Sequence, residues 1–210
     1  MALQIVSEPR WPALVAMFAA ACVYLALPEP LSVGPSWLLL AVILVLLVPL
    51  SVSYSRGHHN VARILTLTAN GAITLAMIAS LIFLIRGMTQ HRDPATTLLR
   101  GASILWFTNI LVFALWYWKL DAGGPLQRER SGGRLDSSFL FPQMLVQEDR
   151  DTSWSPHFMD YLFLAFNTST AFSPTDTAVL SRWAKMGMML QSLISLTIVA
   201  LLASRAVNIL

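Results

Sequence analysis

The chain has 210 residues, of which 56% are apolar and 12% carry a charge. Charged residues make up about a quarter of an ordinary soluble domain, so this composition excludes that class and indicates an integral membrane protein. The net charge of +3 comes from basic residues near predicted helix ends and in loops, which is typical of membrane topology and not of a nucleic-acid surface. We therefore expect membrane lipid as a partner and no nucleic acid.

Residues 1–120 are predicted to form a bundle of four transmembrane helices. The apolar runs are Trp11–Leu27, Trp37–Tyr54, Ala62–Ile85 and Leu98–Trp118. Each approaches or exceeds the ~20 apolar residues that cross a ~30 Å hydrocarbon core. Together with one span near the C-terminus, they predict an all-α fold with about five transmembrane helices.

Polar side chains within the third and fourth spans are predicted to face the bundle interior. Thr66, Asn70 and Thr74 are spaced by four residues and so share one helical face. Asn109 lies in the middle of the fourth span. Polar groups facing lipid are costly, so hydrogen bonds between helices are favoured over a conduction path as the role of these residues.

Residues 121–156 are predicted to form a polar loop with surface-lying segments. Glycine pairs at Gly123-Gly124 and Gly132-Gly133 interrupt regular structure, and acidic and basic residues alternate. The segment Phe139–Met144 and Trp154 are too apolar for a free linker. We expect them to lie on the membrane surface or on the protein.

Residues 157–210 are predicted to contain a short pore-like helix, a turn and a long inner transmembrane helix. The short aromatic helix starts near Asp160 and has about fourteen residues, which at ~1.5 Å each cannot span the hydrocarbon. It is therefore expected to be re-entrant, or a short crossing buried in protein, because irregular backbone at membrane depth needs protein or water around it. On the inner helix, Gln191 and Ser195 share one face and are predicted to point into the bundle.

The end of the short helix and the turn after it form a candidate ion pathway. Its residues are Asn167, Thr168, Ser169, Thr170, Ser173, Thr175 and Asp176. Their hydroxyls and carbonyls could contact an ion, or fasten the helix end to its neighbours.

Charged residues at the helix ends have alternative roles. Asp160 is expected to cap the short helix or to attract an ion near its N-terminus. Asp176 either caps the inner helix, or pairs with Arg182 or Lys185, or contributes to a ring of carboxylates at a pore mouth.

This succession of a short helix, a Thr/Ser-rich end, a turn ending in Asp176 and a long inner helix resembles the pore region of tetrameric cation channels. In potassium channels the corresponding turn presents backbone carbonyls to the ion. Here the segment Thr170–Asp176 contains no glycine, and Pro174 stands where a filter glycine would be needed. The resemblance therefore implies a degenerate pore region.

Most of the chain is more similar to a bacterial family of uncharacterised multi-spanning membrane proteins. The shared features are an aromatic helix end like Phe113–Trp118, a segment like Asp160-Tyr-Leu162, a Phe-x-x-(Thr/Ser)-Asp turn and an inner helix closing in Val-Asn. This resemblance implies a location in the bacterial inner membrane and carries no function.

No catalytic motif is present in the sequence: it has no His-Glu-x-x-His, no Cys-x-x-Cys and no glycine-rich phosphate loop. We therefore expect a protein that is not an enzyme, with no cofactor and no metal site.

The leading functional hypothesis is a homo-oligomeric, channel-like pore for a small ion, a cation that is not strongly potassium-selective. The alternative is a non-conducting structural or accessory membrane subunit, and the absent catalytic cluster disfavours a membrane-embedded enzyme. A rotational axis beside Ser169–Asp176 favours the pore, whereas a turn buried against its own helices favours the accessory subunit.

Overall fold

The computed structural model describes residues 9–90, 94–131, 137–146, 154–173 and 176–207, and most of them are helical. The α-helices of these ranges are α1 (Trp11–Leu25), α2 (Trp37–Ser55), α3 (His59–Gln90), α4 (Ala95–Leu120), α5 (Pro125–Ser131), α6 (Pro142–Val146), α7 (Phe158–Thr170) and α8 (Arg182–Val207). Short 3-10 turns occupy Glu29–Leu31 and Asp121–Gly123.

Among the described residues, three helical stretches are long and apolar enough to cross a membrane: Asn60–Met88, Ala95–Arg128 and Arg182–Ser204. The first two predicted spans are shorter apolar helices, Trp11–Leu25 and Trp37–Ser53. The 15 residues of α1 rise about 22 Å, which is less than the ~30 Å hydrocarbon core. By length and composition, the expectation of five spans therefore holds for three helices.

The expectation of an all-α fold needs one correction, because a two-stranded antiparallel sheet is present. Strand β1 (Phe139–Leu140) pairs with β2 (Ala178–Val179), with Phe139 opposite Val179. The Leu180 N–H also donates to the Ser138 carbonyl at 2.8 Å. This pairing satisfies backbone groups of two segments that the sequence presented as a loop and a turn.

The described residues divide into two compact units. One unit, called here the N-terminal unit, comprises Leu14–Val112 and the end of α8 from Leu196. The other, called the C-terminal unit, comprises Phe113–Ser195 with the residues before Leu14.

Within the N-terminal unit, the loop after α1 is held by one tyrosine. The Tyr24 hydroxyl lies 2.9 Å from the Ser80 hydroxyl of α3 and accepts the Val33 N–H at 3.0 Å.

The same loop packs closely on α4. A Cβ added at Gly101 of α4 would overlap the buried Leu31 side chain. Glycine at this position therefore allows the loop to pack closely on α4.

The polar stripe of α3 faces inward as expected, but its amide lacks the expected hydrogen bond. Thr66 and Asn70 are buried and Thr74 is half-buried. The Thr66 and Thr74 hydroxyls donate at 2.7 Å to the carbonyls of Ala62 and Asn70, one turn back on α3 itself. Neither polar atom of the Asn70 side chain has a hydrogen-bond partner in the described part of the chain. An interhelical hydrogen bond from Asn70 is therefore a wrong prediction.

Asn109 of α4 is also inside the N-terminal unit, with 0% exposure. Its side-chain carbonyl has no partner among the described residues. The sequence therefore predicted the burial of both amides, but burial alone did not supply partners for their oxygens.

Candidate functional site

The short helix α7 begins behind an acidic cap. The Asp160 carboxylate accepts the His157 N–H at 2.7 Å, and the Asp160 N–H donates to the His157 carbonyl at 3.0 Å. His157 precedes the helix and has an extended backbone. Asp160 thus stabilises the N-terminus of α7, which is the capping role proposed from the sequence.

The hydroxyl-rich end of α7 packs against α8. Thr168 and Ser169 are each 1% exposed. The Thr168 hydroxyl donates to the Leu164 carbonyl of α7 itself, at 2.8 Å. From α8, the Ser195 hydroxyl donates to the Ser169 carbonyl at 2.6 Å, and the Ser192 hydroxyl lies 3.4 Å from the Thr168 carbonyl.

A single buried amide completes this packing. Gln191 of α8 is 0% exposed, and its Nε2 donates to the Ala165 carbonyl at 2.7 Å and to the Ser169 hydroxyl at 2.9 Å. Its Oε1 accepts the hydroxyl proton of Tyr117, on α4, at 2.6 Å. The amide therefore joins α4, α7 and α8 through hydrogen bonds that use both its donor and its acceptor sides.

The other described residues of the predicted ion pathway are not buried in this way. Asn167 and Ser173 are half-buried and Thr170 is exposed. The Thr170 hydroxyl turns back to the Phe166 and Asn167 carbonyls, at 3.0 and 3.3 Å. Thr175, like Pro174, lies outside the described residues.

An open cavity of about 850 Å³ lies between the end of α7, the turn and the first half of α8. Three predicted ion-pathway residues line it: Thr168, Ser173 and Asp176. Lys185 lines it as well, so one carboxylate and one ammonium group stand at the same cavity.

Asp176 does not cap the inner helix. That helix begins at Arg182, and the residue before it, Ser181, accepts the Ala184 N–H on its hydroxyl at 3.3 Å. The capping role expected for Asp176 is therefore wrong, because strand β2 lies between Asp176 and α8. Asp176, Arg182 and Lys185 are all exposed.

Sequence reasoning missed the buried acid of this unit, which is Asp121. It is 0% exposed, and its carboxylate accepts the Tyr161 hydroxyl at 2.6 Å, the Ser137 hydroxyl at 2.9 Å and the Ser138 N–H. Three donors compensate much of the cost of burying a carboxylate. The side chain thereby fixes the segment before β1 to α7.

Arg128 of α5 contacts the backbone at Asp121 and is 2% exposed. Its Nη1 donates to the Trp118 and Asp121 backbone carbonyls, both at 2.9 Å, and its guanidinium carbon lies 5.1 Å from the centroid of the Tyr161 ring. Arg128 therefore joins α5 to the end of α4 and packs on the Tyr161 ring.

The turn that brings Arg128 back requires glycine. Gly124 has a φ of 97° and its N–H donates to the Asp121 carbonyl at 2.8 Å. A Cβ there would come within 2.8 Å of the Lys119 carbonyl oxygen. The glycine pair that the sequence presented as a break in structure thus makes a closed turn.

The apolar part of the predicted loop 121–156 is a core element and not a surface segment. Phe139 is 0% and Phe141 is 4% exposed. The Phe139 ring centroid lies 5.2 Å from that of Tyr117 and 5.9 Å from that of Trp183, both in edge-on geometry. The segment that begins at Phe139 was expected to lie either on the membrane surface or on the protein, and the structure shows it packed on the protein.

No sequence motif marks Asp121 or Phe139. Asp121 follows the aromatic end of the fourth predicted span and precedes the glycine pair, where an acid is ordinarily solvated. Its partners Ser137 and Tyr161 are distant in sequence, so the cluster exists only once the chain has folded. Among the described residues, no group of three or more His, Cys, Asp or Glu side chains is placed to hold a metal ion.

No protein-family model matches this chain, and neither a curated protein nor a solved structure is significantly similar to it. The resemblances to cation channels and to a bacterial membrane family therefore stay expectations. The geometry of the C-terminal unit is what supports the functional conclusion.

Replacing Gln191 by Leu should lower the stability of the protein in detergent by about 2 kcal/mol, because three buried hydrogen bonds are lost and their partners stay buried. Asn70→Leu is the matched control. It removes an equally buried amide that has no partner, so it should leave stability unchanged or raise it slightly. Thermal denaturation of both variants measures the difference, and equal losses would contradict the assignment of the two amides.

Replacing Asp121 by Asn should destabilise the C-terminal unit by about 2 kcal/mol, because one carboxylate oxygen becomes an amide donor facing other donors. The exposed Asp176→Asn is the control and should change stability by less than about 0.5 kcal/mol. Chemical denaturation followed by the fluorescence of the tryptophans reports both changes. An Asp121→Asn protein as stable as the parent would show that the carboxylate is not needed.

Proposed function

We propose that the chain is an integral membrane protein that acts as a non-conducting structural or accessory subunit. Membrane insertion is supported by the three long apolar stretches Asn60–Met88, Ala95–Arg128 and Arg182–Ser204. In their most apolar parts, 33% of the first stretch and 28% of the last are buried within the chain. The rest presents apolar side chains such as Leu75, which is 70% exposed, and lipid is the solvent in which such a surface is stable.

The proposed topology places α3, α4 and α8 across the membrane. α1 is also shorter than the hydrocarbon is thick, so it and α2 complete the five spans as short crossings that need protein around their ends. The helix α7 has 13 residues and rises about 20 Å, so it does not cross by itself. It is a re-entrant or protein-buried helix supported by α8. The bacterial inner membrane is the location that the family resemblance implies.

The observation that carries the non-conducting assignment is the hydrogen bonding of Gln191. Polar groups that line a conduction path must face water or the ion. Here the Ser169 hydroxyl accepts from Gln191, and the Thr168 hydroxyl donates within α7. The polar end of α7 is therefore used to hold α7 on α8 within one chain, which is the arrangement expected of an accessory subunit.

The pore remains the second candidate, because Asp176 is exposed and lines an open cavity together with Ser173. A pore would require several copies of the chain around a shared axis, with these cavities opening onto it. Its lining would come from side chains, since the turn contains no glycine, and sodium and potassium would then be weakly discriminated.

Reconstitution of the purified chain into liposomes tests the two candidates. The accessory role predicts no flux of sodium, potassium or chloride above protein-free liposomes, and no difference between the parent and Asp176→Asn. A cation flux that falls in Asp176→Asn, while Glu29→Gln conducts like the parent, would contradict the accessory role and support the pore. Glu29 is the charge-matched control because it is exposed and lies in the other unit.

A further inference from the structure

The open cavity of the C-terminal unit has the size and the lining of a ligand site. Its volume of about 850 Å³ falls within the ~300–1,000 Å³ of small-molecule pockets. One wall is the face of α8 that carries Met188, Met189 and Leu193, and Val179 of β2 contributes another side. Methionine side chains adapt to flexible apolar partners, so this wall suits a hydrocarbon chain.

The cavity has a polar and an apolar end along α8. Lys185 lies near the start of the helix, and Leu193 lies eight residues later, which corresponds to about 12 Å along the axis. The stretch proposed to cross the membrane begins at Arg182. Lys185 is therefore placed near the membrane surface, and the apolar wall extends from there into the hydrocarbon.

The charges at the polar end select among amphiphiles. Lys185 and Asp176 both line the cavity and both are exposed. A purely anionic headgroup would meet the Asp176 carboxylate as well as the Lys185 ammonium. A headgroup that carries both a phosphate and an ammonium can satisfy each charge with its opposite.

We propose that this cavity binds a phospholipid with a primary-ammonium headgroup. One acyl chain lies along Met188, Met189 and Leu193, the phosphate is near Lys185 and the ammonium is near Asp176. Ser173 and Ser192 also line the cavity and add polar surface to it. The proposal rests on the membrane location proposed above and does not depend on whether the chain conducts.

The test is lipid retention by the full-length chain, measured by native mass spectrometry after exchange into a delipidating detergent. The probes are phosphatidylethanolamine and phosphatidylglycerol with identical acyl chains. A pair of exposed charges changes affinity by about fivefold at most, so the parent should retain phosphatidylethanolamine up to about fivefold more than phosphatidylglycerol. Equal retention of the two lipids would overturn the proposal.

Two variants, each with a control variant, test where the lipid binds. Asp176→Asn should bring the ratio of the two lipids close to one, whereas Glu29→Gln should leave it as in the parent. Leu193→Trp should occupy part of the cavity beside its apolar wall and lower the retention of both lipids. The control is Leu196→Trp, at an exposed position three residues later that does not line the cavity, and it should leave retention unchanged. If Leu193→Trp does not fold, the Asp176→Asn variant provides the test, because Asp176 is exposed. A lipid ratio in that variant equal to the parent's would contradict the placement of the ammonium near Asp176.

A separate measurement distinguishes a wrong membrane location from a wrong lipid site. Extraction of the chain from cell membranes by alkaline carbonate would contradict the proposed function itself. A chain that resists extraction but retains the two lipids equally would overturn the lipid site alone.

Discussion

The C-terminal unit depends on one amide. Gln191 receives a hydrogen bond from Tyr117 of α4 and gives two to α7, at Ala165 and Ser169. A buried amide is costly unless both its sides are satisfied, so these three bonds fix the positions of their partners relative to one another. The orientation of the Ser169 hydroxyl follows from this constraint, and with it the conclusion that the polar end of α7 holds helices together.

A second polar centre performs the same task for the segment between α4 and α7. The Asp121 carboxylate needs its donors because it is fully buried, and it obtains them from Tyr161 and from the backbone and side chain just before β1. The strand that follows then pairs with β2, next to the cavity. The geometry of the lipid site proposed above is therefore set by Asp121 as well as by Gln191, although neither residue lines the cavity.

The sequence predicted those features that follow from local rules. Hydropathy located the long helices α1–α4 and α8 but not α5 and α6. The four-residue spacing of Thr66, Asn70 and Thr74 predicted which face of α3 is interior. It could not predict the partners, because whether a buried amide such as Asn70 finds one depends on the neighbouring helix. The Asp121 cluster and the β1–β2 pair escaped prediction for the same reason, since each joins segments tens of residues apart. The first predicted span, Trp11–Leu27, ends two residues earlier in the structure, at Leu25.

The accessibility of position 169 to water distinguishes a packed end of α7 from a water-lined one. Ser169→Cys would be made in a Cys22→Ala background, since Cys22 is the single native cysteine, and reconstituted with a small, charged, membrane-impermeant thiol reagent on both sides. We expect Ser169→Cys to stay unmodified under conditions that modify Asp176→Cys, because Ser169 is 1% exposed and bonded to Gln191. Modification of Ser169→Cys as fast as that of Asp176→Cys would show that the end of α7 faces an aqueous path and that the proposed packing role is wrong.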